Sequence, residues 1–257
     1  MSLFFDRKET TVTCLYPKVP QNEQNLAYKA ARCFFKALGR EASVRIAIDK
    51  QIPVAAGLGG GSSNAAAVLS GLNRHYHFPF TRNELMAMGL SLGADIPFFL
   101  FGKPAIATGI GEKLELYEGL APFKVLLINP GFCVSTAEIY KNLNLGLTNY
   151  KNKNNYMSFK KKGFNVEKHL CNDLEAVTLE MYPGIQTLKK ALLKVGANGT
   201  LMSGSGPTVF GLFSDPNRAQ KAYASLSKKN QWQLYLVDMI VKENTEYQFD
   251  SSFRGIQ

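Results

Sequence analysis

The sequence predicts a mixed fold of helices and strands, either α+β or α/β. Segments with strand-like alternation, such as SVRIAIDKQIPVA from Ser43, are interleaved with segments of helical period, such as NLAYKAARCFFKALG from Asn25. No segment repeats, and the 257 residues, 46% of them hydrophobic and 19% charged, can bury a substantial core. The order of the elements leaves both fold classes open. The pattern of the sequence changes after Ala121, and this change indicates two domains, 1–121 and 122–257.

Each predicted element depends on its own local pattern. Gly39 is expected to end the first helix, and T-R-N-E from Thr81 is a capping box that opens a helix ending at Gly93. The predicted strands are 12–19, 43–55, the segment ADIPFFLFG after a turn, 123–131, 208–213 and 233–241. The predicted helices are 25–39, 64–77, 81–93, 136–143, 184–195 and 216–227.

Composition narrows the class of protein. No apolar run is long enough for a membrane span, and MSLFFDRKETT does not resemble a signal peptide. Four separated cysteines and three histidines favour reduced thiols in the cytoplasm over disulfides or a structural zinc site. The net charge of +10 suits polyanionic substrates or nucleic acid. Much of it lies in residues 151–168, where a solvated loop is favoured over a nucleic-acid patch.

The segment PVAAGLGGGSSNAAA, which begins at Pro53, predicts a phosphate site. It lacks the lysine of a Walker loop and the glycine spacing of the Rossmann and protein-kinase loops. Nevertheless, four glycines lead directly into a helix that starts with serines, so free backbone amides and the helix dipole would favour an anion. The segment SGSGPT, which begins at Ser203, is a candidate for a second wall of the same phosphate site. Asp95, within GADIPFF, is either a local cap or a general base for an alcohol.

These motifs resemble those of the GHMP kinases, a superfamily of small-molecule kinases. The resemblance is carried by PVAAGLGGGSSNAA, LGADIPFFLFGKPAIATGIGEKLE, NPGFCVSTAEIY, CNDLE and SGSGPTVFGLF, which together extend from about residue 24 to residue 213. The most similar branch phosphorylates the 2-hydroxyl of a cytidine-diphosphate-linked methylerythritol in the non-mevalonate isoprenoid pathway. The resemblance implies an α+β fold of two domains, the first like domain 2 of ribosomal protein S5 and the second ferredoxin-like.

The resemblance also implies roles for individual residues, with ATP and Mg²⁺ as cofactors, a small-molecule substrate, and neither a membrane nor a nucleic acid as partner. Asp95 would be the general base. The nucleotide would contact Asn25, Leu26, Lys50, Pro53, Gly57, Leu58, Gly59, Gly60, Gly61, Ser62, Ser63 and Asn64. The substrate side would contain Val134, Ser135, Thr136, Asn172 and Asp173, and Gly204, Ser205 and Gly206, which would also close the phosphate site.

Two family motifs are not found in the sequence. They are the P-x-K-x-N-L strand, whose lysine pairs with the catalytic aspartate, and the D-G-Y-H segment, which recognises cytosine. Leu170, next to His169, stands where the family has a second cytosine-stacking aromatic residue. One interpretation is that the working enzyme extends upstream of Met1. The other is that the chain is complete and is a degenerate paralogue that binds nucleotide but catalyses poorly. Two rival functions also stay open: a non-catalytic nucleotide-binding protein that binds RNA through the basic stretch near Lys160, and a GHMP kinase for another alcohol such as homoserine or mevalonate.

Overall fold

The computed structural model describes residues 1–5, 8–143, 163–228 and 231–242. The chain divides into two compact units. Met1–Val54, Gly59–Tyr117 and Lys242 belong to the first unit, and Ala55–Leu58 and Glu118–Val241 belong to the second. The domain boundary expected near Ala121 stays a prediction. The predicted loop at 151–168 lies mostly outside the described residues.

The described residues of the first unit form a small sheet, a hairpin and four helices. Its elements are β1 (Ser2–Phe4), β2 (Thr11–Cys14), α1 (Leu26–Leu38), β3 (Arg45–Ile48), α2 (Gly60–His75), α3 (Arg82–Leu92), α4 (Ile96–Phe101), β4 (Ala105–Thr108) and β5 (Lys113–Leu116). The sheet order is β1-β3-β2, in which β3 pairs antiparallel with β1 and parallel with β2. β4 and β5 form an antiparallel hairpin.

Helix α1 supplies much of the core of the first unit. Its buried residues follow the 3.6-residue period and are Ala27, Ala30, Ala31, Phe34 and Phe35. The helix ends where predicted, since Gly39 adopts the left-handed conformation (φ 67°) and donates its amide to the last turn. The capping box at the start of α3 is also confirmed.

Four sequence-based boundaries were wrong by three residues or more, and one of them belongs to the strand predicted at 233–241, which ends at Asp238. β2 and β3 end together at the Cys14–Ile48 pair, short of Pro17 and Pro53, which cannot donate to a strand ladder. Helix α2 begins at Gly60, four residues earlier than predicted, because the glycines themselves form its first turn.

The segment ADIPFFLFG forms α4 and not the predicted strand. Ile96, Pro97 and Leu100 are its buried positions, and Gly102 ends it in the left-handed conformation (φ 66°). Proline is tolerated in the first helical turn because the amide that it lacks would have no partner there. A short apolar run does not distinguish a buried helix from a strand by period alone.

The second unit is an antiparallel sheet with helices packed against it. Its elements are β6 (Lys124–Asn129), α5 (Thr136–Asn142), α6 (Val166–His169), α7 (Asp173–Met181), α8 (Gly184–Lys194), β7 (Gly199–Met202), β8 (Val209–Phe213), α9 (Pro216–Ser227) and β9 (Gln233–Asp238). The strand order is β7-β8-β6-β9, and all three pairings are antiparallel. Leu126 and Ile128 of β6 alternate into a core that α8 and α9 share. These segregated layers confirm the α+β class.

Candidate active site

The glycine segment begins in the second unit, where Gly57 lies against the turn that follows β7. Gly57 has a left-handed backbone (φ 73°), and a Cβ there would collide with the carbonyl oxygen of Ser203. The Ser203 hydroxyl donates to the Gly57 carbonyl at 2.9 Å, and a Cβ on Gly204 would lie 3.2 Å from that same oxygen. Gly57 is therefore required by the close packing of two backbone segments.

Gly59 is required by the fold for a similar reason. It is the N-cap of α2 with φ 62°, and a Cβ there would lie 2.8 Å from the Phe99 ring of α4. Two of the four glycines are thus explained by packing within the chain, which the sequence did not reveal.

Gly61 is explained by nothing in the described part of the chain. It is exposed, its backbone is not left-handed, and a Cβ there would make only an ordinary 3.5 Å contact with Leu26. At Gly60, by contrast, a Cβ would meet the Lys50 Nζ at 2.7 Å and Ile52 at 3.1 Å. The absence of a side chain at Gly61 is what a ligand approaching the backbone closely would need.

The first turn of α2 presents unpaired amides. Its N-cap, Gly59, has no side chain to bond them, and the turn contains no acidic residue. The amides of Gly60, Gly61 and Ser62 have no acceptor among the described residues. Ser62, Ser63 and Asn64 lie half-buried in the same turn. Unpaired amides at the positive end of a 16-residue helix make a favourable site for phosphate.

Lys50 supplies a cation at this helix end. Its side chain is half-buried, and this burial lowers the pKa of the Lys50 amine below its ordinary value of 10.5, an effect that Cys14 partly opposes. A cation at a helix N-terminus is disfavoured by the helix dipole. An anion bound between the amine and the amides would offset both penalties.

A cavity of about 550 Å³ lies beside Lys50 in the first unit. It is lined by the ends of β2 and β3 and by the segment after β2, including Cys14, Tyr16, Pro17 and Asp49. Asn25 does not line it: its side chain caps α1 by accepting from Ala27 and donates to Pro20.

Asp95 occupies the N-cap position of α4, but its carboxylate makes no capping bond. It is exposed and has no hydrogen-bond or ion-pair partner within the described residues. Residues four apart lie on one face of a helix, so Asp95 is one turn from Phe99, which contacts Gly59. The interpretation of Asp95 as a local cap is therefore not supported.

The residues expected on the substrate side lie in the second unit. Val134 is buried, and Ser135 caps α5. The Thr136 hydroxyl lies 2.7 Å from that of Ser205, which is itself buried. Asp173, the first residue of α7, is exposed.

Three residues with structural contacts to these segments had no role in the sequence analysis. Phe99 packs on Gly59, and the Glu175 carboxylate accepts the amide of Met202, the last residue of β7. The Thr178 hydroxyl donates to the Leu174 carbonyl at 3.0 Å and lies 3.4 Å from the Ser205 carbonyl. Glu175 stands within the CNDLE motif, which could have indicated it. Nothing in the sequence pattern distinguished Thr178 from an ordinary helix residue.

The described residues contain neither a metal-binding cluster nor a helix that could span a membrane. No group of three or more His, Cys, Asp or Glu side chains there is placed to hold a metal ion. None of the helices that the structure describes has the length and apolarity needed to cross a bilayer.

Comparison with known families and proteins gives consistent matches. Residues 25–103 match the GHMP kinases N terminal domain, and residues 159–231 match the GHMP kinases C terminal family. The chain is 44% identical to the 4-diphosphocytidyl-2-C-methyl-D-erythritol kinase of Syntrophotalea carbinolica, over 92% of this chain and 84% of that protein. It is also 44% identical to the protein of the same name from Geobacter metallireducens, over 92% and 83%.

Solved structures agree. A crystal structure of 4-(cytidine 5'-diphospho)-2C-methyl-D-erythritol kinase matches with a TM-score of 0.72 at 31% identity, covering 92% of this chain and 84% of that one. Homoserine kinase from Cytophaga hutchinsonii matches with a TM-score of 0.78 at 19% identity, covering 94% and 85%, which shows the shared fold alone. This chain is a small-molecule kinase that belongs to the GHMP kinase family, in the group of the 4-diphosphocytidyl-2-C-methyl-D-erythritol kinases.

Proposed function

We propose that this protein transfers the γ-phosphoryl group of ATP to the 2-hydroxyl of 4-diphosphocytidyl-2-C-methyl-D-erythritol. The identity of 44% to relatives that bear this kinase's name supports the choice of alcohol. The observation that carries the phosphoryl chemistry is the glycine-led start of α2, where three unpaired amides lie beside the Lys50 amine.

In this proposal the chain positions and stabilises phosphates, which is most of what phosphoryl transfer requires. The amides of Gly60, Gly61 and Ser62 bond the phosphate oxygens, and Lys50 balances their charge. The oxygen of the substrate 2-hydroxyl attacks the γ-phosphorus, and Asp95 accepts the proton of that hydroxyl. The bond from the γ-phosphorus to the β-phosphate oxygen breaks, and ADP leaves with that oxygen.

Mg²⁺ is proposed to enter with ATP. A kinase of this kind needs the ion to neutralise the phosphates, but the described residues offer no cluster of carboxylates to hold it. The donors that fit are the phosphate oxygens themselves and the hydroxyls of Ser62 and Ser63 in the first turn of α2. A cytoplasmic location is part of the same proposal. It is supported by the four cysteines, none of which forms a disulfide.

The test is a substrate panel. The purified protein is incubated with ATP, Mg²⁺ and one of three alcohols: the proposed substrate, homoserine or mevalonate. We expect ADP release, and one added phosphate by mass, with the first alcohol only. Phosphorylation of another alcohol would overturn the assignment. Binding of a non-hydrolysable ATP analogue without phosphorylation of any alcohol would identify a nucleotide-binding relic instead.

A further inference from the structure

A groove of about 1210 Å³ lies in the first unit, at the end of α2 that is remote from the glycine segment. Its walls are α1, the loop of residues 39–43, residues 5 and 8–10, and the end of α2 at His75 and Tyr76. The proposed phosphate site is at the start of α2, and a helix of 16 residues is about 24 Å long. The groove is therefore separate from the proposed site of catalysis.

One wall of the groove is a stripe of side chains along α1. Tyr28, Arg32 and Lys36 line the groove at intervals of four residues, so they lie on one face of the helix, about 6 Å apart along its axis. Arg40, which follows the C-cap of α1, lines the groove as well. The three cations of this stripe are exposed, so a ligand in the groove can reach them.

The positive charge of the groove is not balanced by ion pairs. Four cations line it, namely Lys8, Arg32, Lys36 and Arg40. None of the four forms an ion pair with another residue that the structure describes. Two carboxylates, Glu9 and Glu41, line the groove too, which leaves an excess of two positive charges.

The stability of α1 does not explain the stripe. The helix contains no acidic residue, and like charges four residues apart destabilise a helix. The helix dipole favours a cation in the last turn, which accounts for Lys36, but Arg32 lies in the middle of α1. An anionic ligand bound along the stripe would offset the repulsion between these cations.

Aromatic rings line the same groove. The His75 ring stacks on Phe5, with the ring centroids 3.4 Å apart and the planes 4° from parallel. Because Phe5 fixes the plane of this exposed ring, the imidazole can serve as a platform on which a nucleobase stacks. Tyr28, half-buried in the α1 stripe, provides a second ring.

We propose that this groove binds single-stranded nucleic acid. Proteins that bind single strands without sequence preference combine a cationic groove, which follows the phosphates, with aromatic rings on which bases stack. The volume exceeds the roughly 300–1,000 Å³ of a small-molecule site, which favours a short stretch of strand over a single nucleotide. Arg32, Lys36 and Arg40 contact phosphates, and His75 stacks on a base. This activity is additional to the proposed function, does not depend on it, and departs from the expectation that nucleic acid is not a partner.

The first test is the binding of fluorescent single strands of about eight nucleotides. Oligo-U RNA and oligo-dT DNA are titrated separately with the full chain, in the absence of ATP and of any alcohol. We expect a Kd of about 1–100 µM at physiological salt, and the strand that binds more tightly identifies the nucleic acid that the groove takes. Failure of both strands to bind would overturn the proposal.

The double variant Arg32→Gln/Lys36→Gln tests the phosphate contacts. We expect the Kd of the strand to rise about tenfold, and the slope of log Kd against log salt to fall by about 1.4, since each phosphate contact to a single strand contributes about 0.7. Glutamine is a good helix former, so α1 should persist. Lys190→Gln/Lys194→Gln is the matched control, because these exposed lysines have the same spacing on α8 of the second unit. Equal weakening by the two pairs would show that net charge alone attracts the strand, and would overturn the proposal.

His75→Ala tests the stacking. Loss of one stacked base should raise the Kd of the strand about tenfold, and His75→Phe, which keeps a ring on Phe5, should retain the wild-type Kd. An unchanged Kd in His75→Ala would contradict the proposal.

Competition separates this groove from the nucleotide site. A saturating non-hydrolysable ATP analogue should leave the strand bound, whereas displacement would place the strand at the nucleotide site and refute the proposal. Strand binding is measured without turnover, so a protein that phosphorylates no alcohol but binds the strand refutes the proposed function alone. A protein that phosphorylates the alcohol but binds no strand refutes the present proposal alone.

Discussion

The amine of Lys50 lies 2.7 Å from the point that a Cβ on Gly60 would occupy. The missing side chain at Gly60 therefore leaves room for a half-buried cation beside the first turn of α2. Packing within the chain thus accounts for Gly57, Gly59 and Gly60, and only Gly61 is left for a ligand to explain.

Lys50→Met should separate stability from binding. Burial lowers the pKa of the Lys50 amine in the folded state, so between that pKa and 10.5 the unfolded chain binds more protons than the folded one. The free energy of unfolding should therefore rise with pH in that window, and this rise should disappear in Lys50→Met. Thermal unfolding from neutral to alkaline pH measures it, with the exposed Lys29→Met as control.

Nucleotide affinity gives the second part of the Lys50 prediction. Phosphates bound beside Lys50 favour its charged form, so the affinity for an ATP analogue should fall as pH rises above the lowered pKa of Lys50 in the free folded protein. Lys50→Met should bind the analogue about tenfold more weakly at neutral pH, in line with a lost charge-assisted bond. Equal affinities of the variant and the wild type would remove Lys50 from the site.

Gly61→Ala should weaken nucleotide binding without unfolding the protein. The new methyl group meets only Leu26 at 3.5 Å, and alanine is favoured over glycine inside a helix by about 0.5–1 kcal/mol. The melting temperature should therefore hold or rise while the affinity for the ATP analogue falls. A variant that binds as tightly as the wild type would show that no ligand approaches Gly61.

Gly57→Ala is the structural counterpart. Its methyl group would collide with the Ser203 carbonyl, and its left-handed backbone alone costs about 1–3 kcal/mol for a residue other than glycine. We expect a clear loss of thermal stability, measured by calorimetry. A stable Gly57→Ala protein would contradict the close packing of this segment on Ser203.

Asp95→Asn should abolish turnover and spare the fold. The carboxylate is exposed and makes no capping bond, so the stability should change by less than about 0.5 kcal/mol. Loss of a general base lowers turnover by about 10²–10⁴-fold, and binding of the ATP analogue should survive. Asp238→Asn, which removes an exposed partner of Lys124, is the control and should keep full turnover. Unchanged turnover in Asp95→Asn would exclude Asp95 as the base.

Thr81→Ala should affect stability alone. The Thr81 side chain accepts the Glu84 amide, and the Glu84 carboxylate accepts the Thr81 amide at 2.7 Å. Losing this cap costs about 0.5–2 kcal/mol, whereas Thr81→Ser should retain most of the stability. Denaturant unfolding measures the difference, and turnover at saturating substrate should not change. An unaffected unfolding midpoint in Thr81→Ala would contradict the capping box.

The sequence predicted features that depend on neighbouring residues and missed those that depend on distant ones. The capping box at Thr81 and the end of α1 at Gly39 are local chemistry, and both are confirmed. The α4 segment was misassigned because its six apolar and aromatic residues suit a strand or a buried helix equally. β7 was missed because its GTLM segment has little apolar pattern of its own and depends on pairing with β8.

The site shows the same division. The glycine run predicted an anion site from local geometry alone, but not that Gly57 and Gly59 serve packing, since Ser203 and Phe99 are far away in the sequence. The family resemblance placed Asn172 on the substrate side, but the CNDLE motif gives no sign of its hydrogen-bond partners, which lie 30 and 32 residues further along the chain.

The four residues Ala55–Leu58 belong to the second unit, although the residues on both sides of them belong to the first. A single crossover between genes at the Tyr117–Glu118 junction would therefore exchange most of the second unit but leave this tetrapeptide with its former parent. The Gly57 carbonyl of one parent would then have to accept the hydrogen bond of a Ser203 hydroxyl that comes from the other parent. We expect recombinant hybrids of two homologous kinases to function only when this tetrapeptide is inherited with the second half.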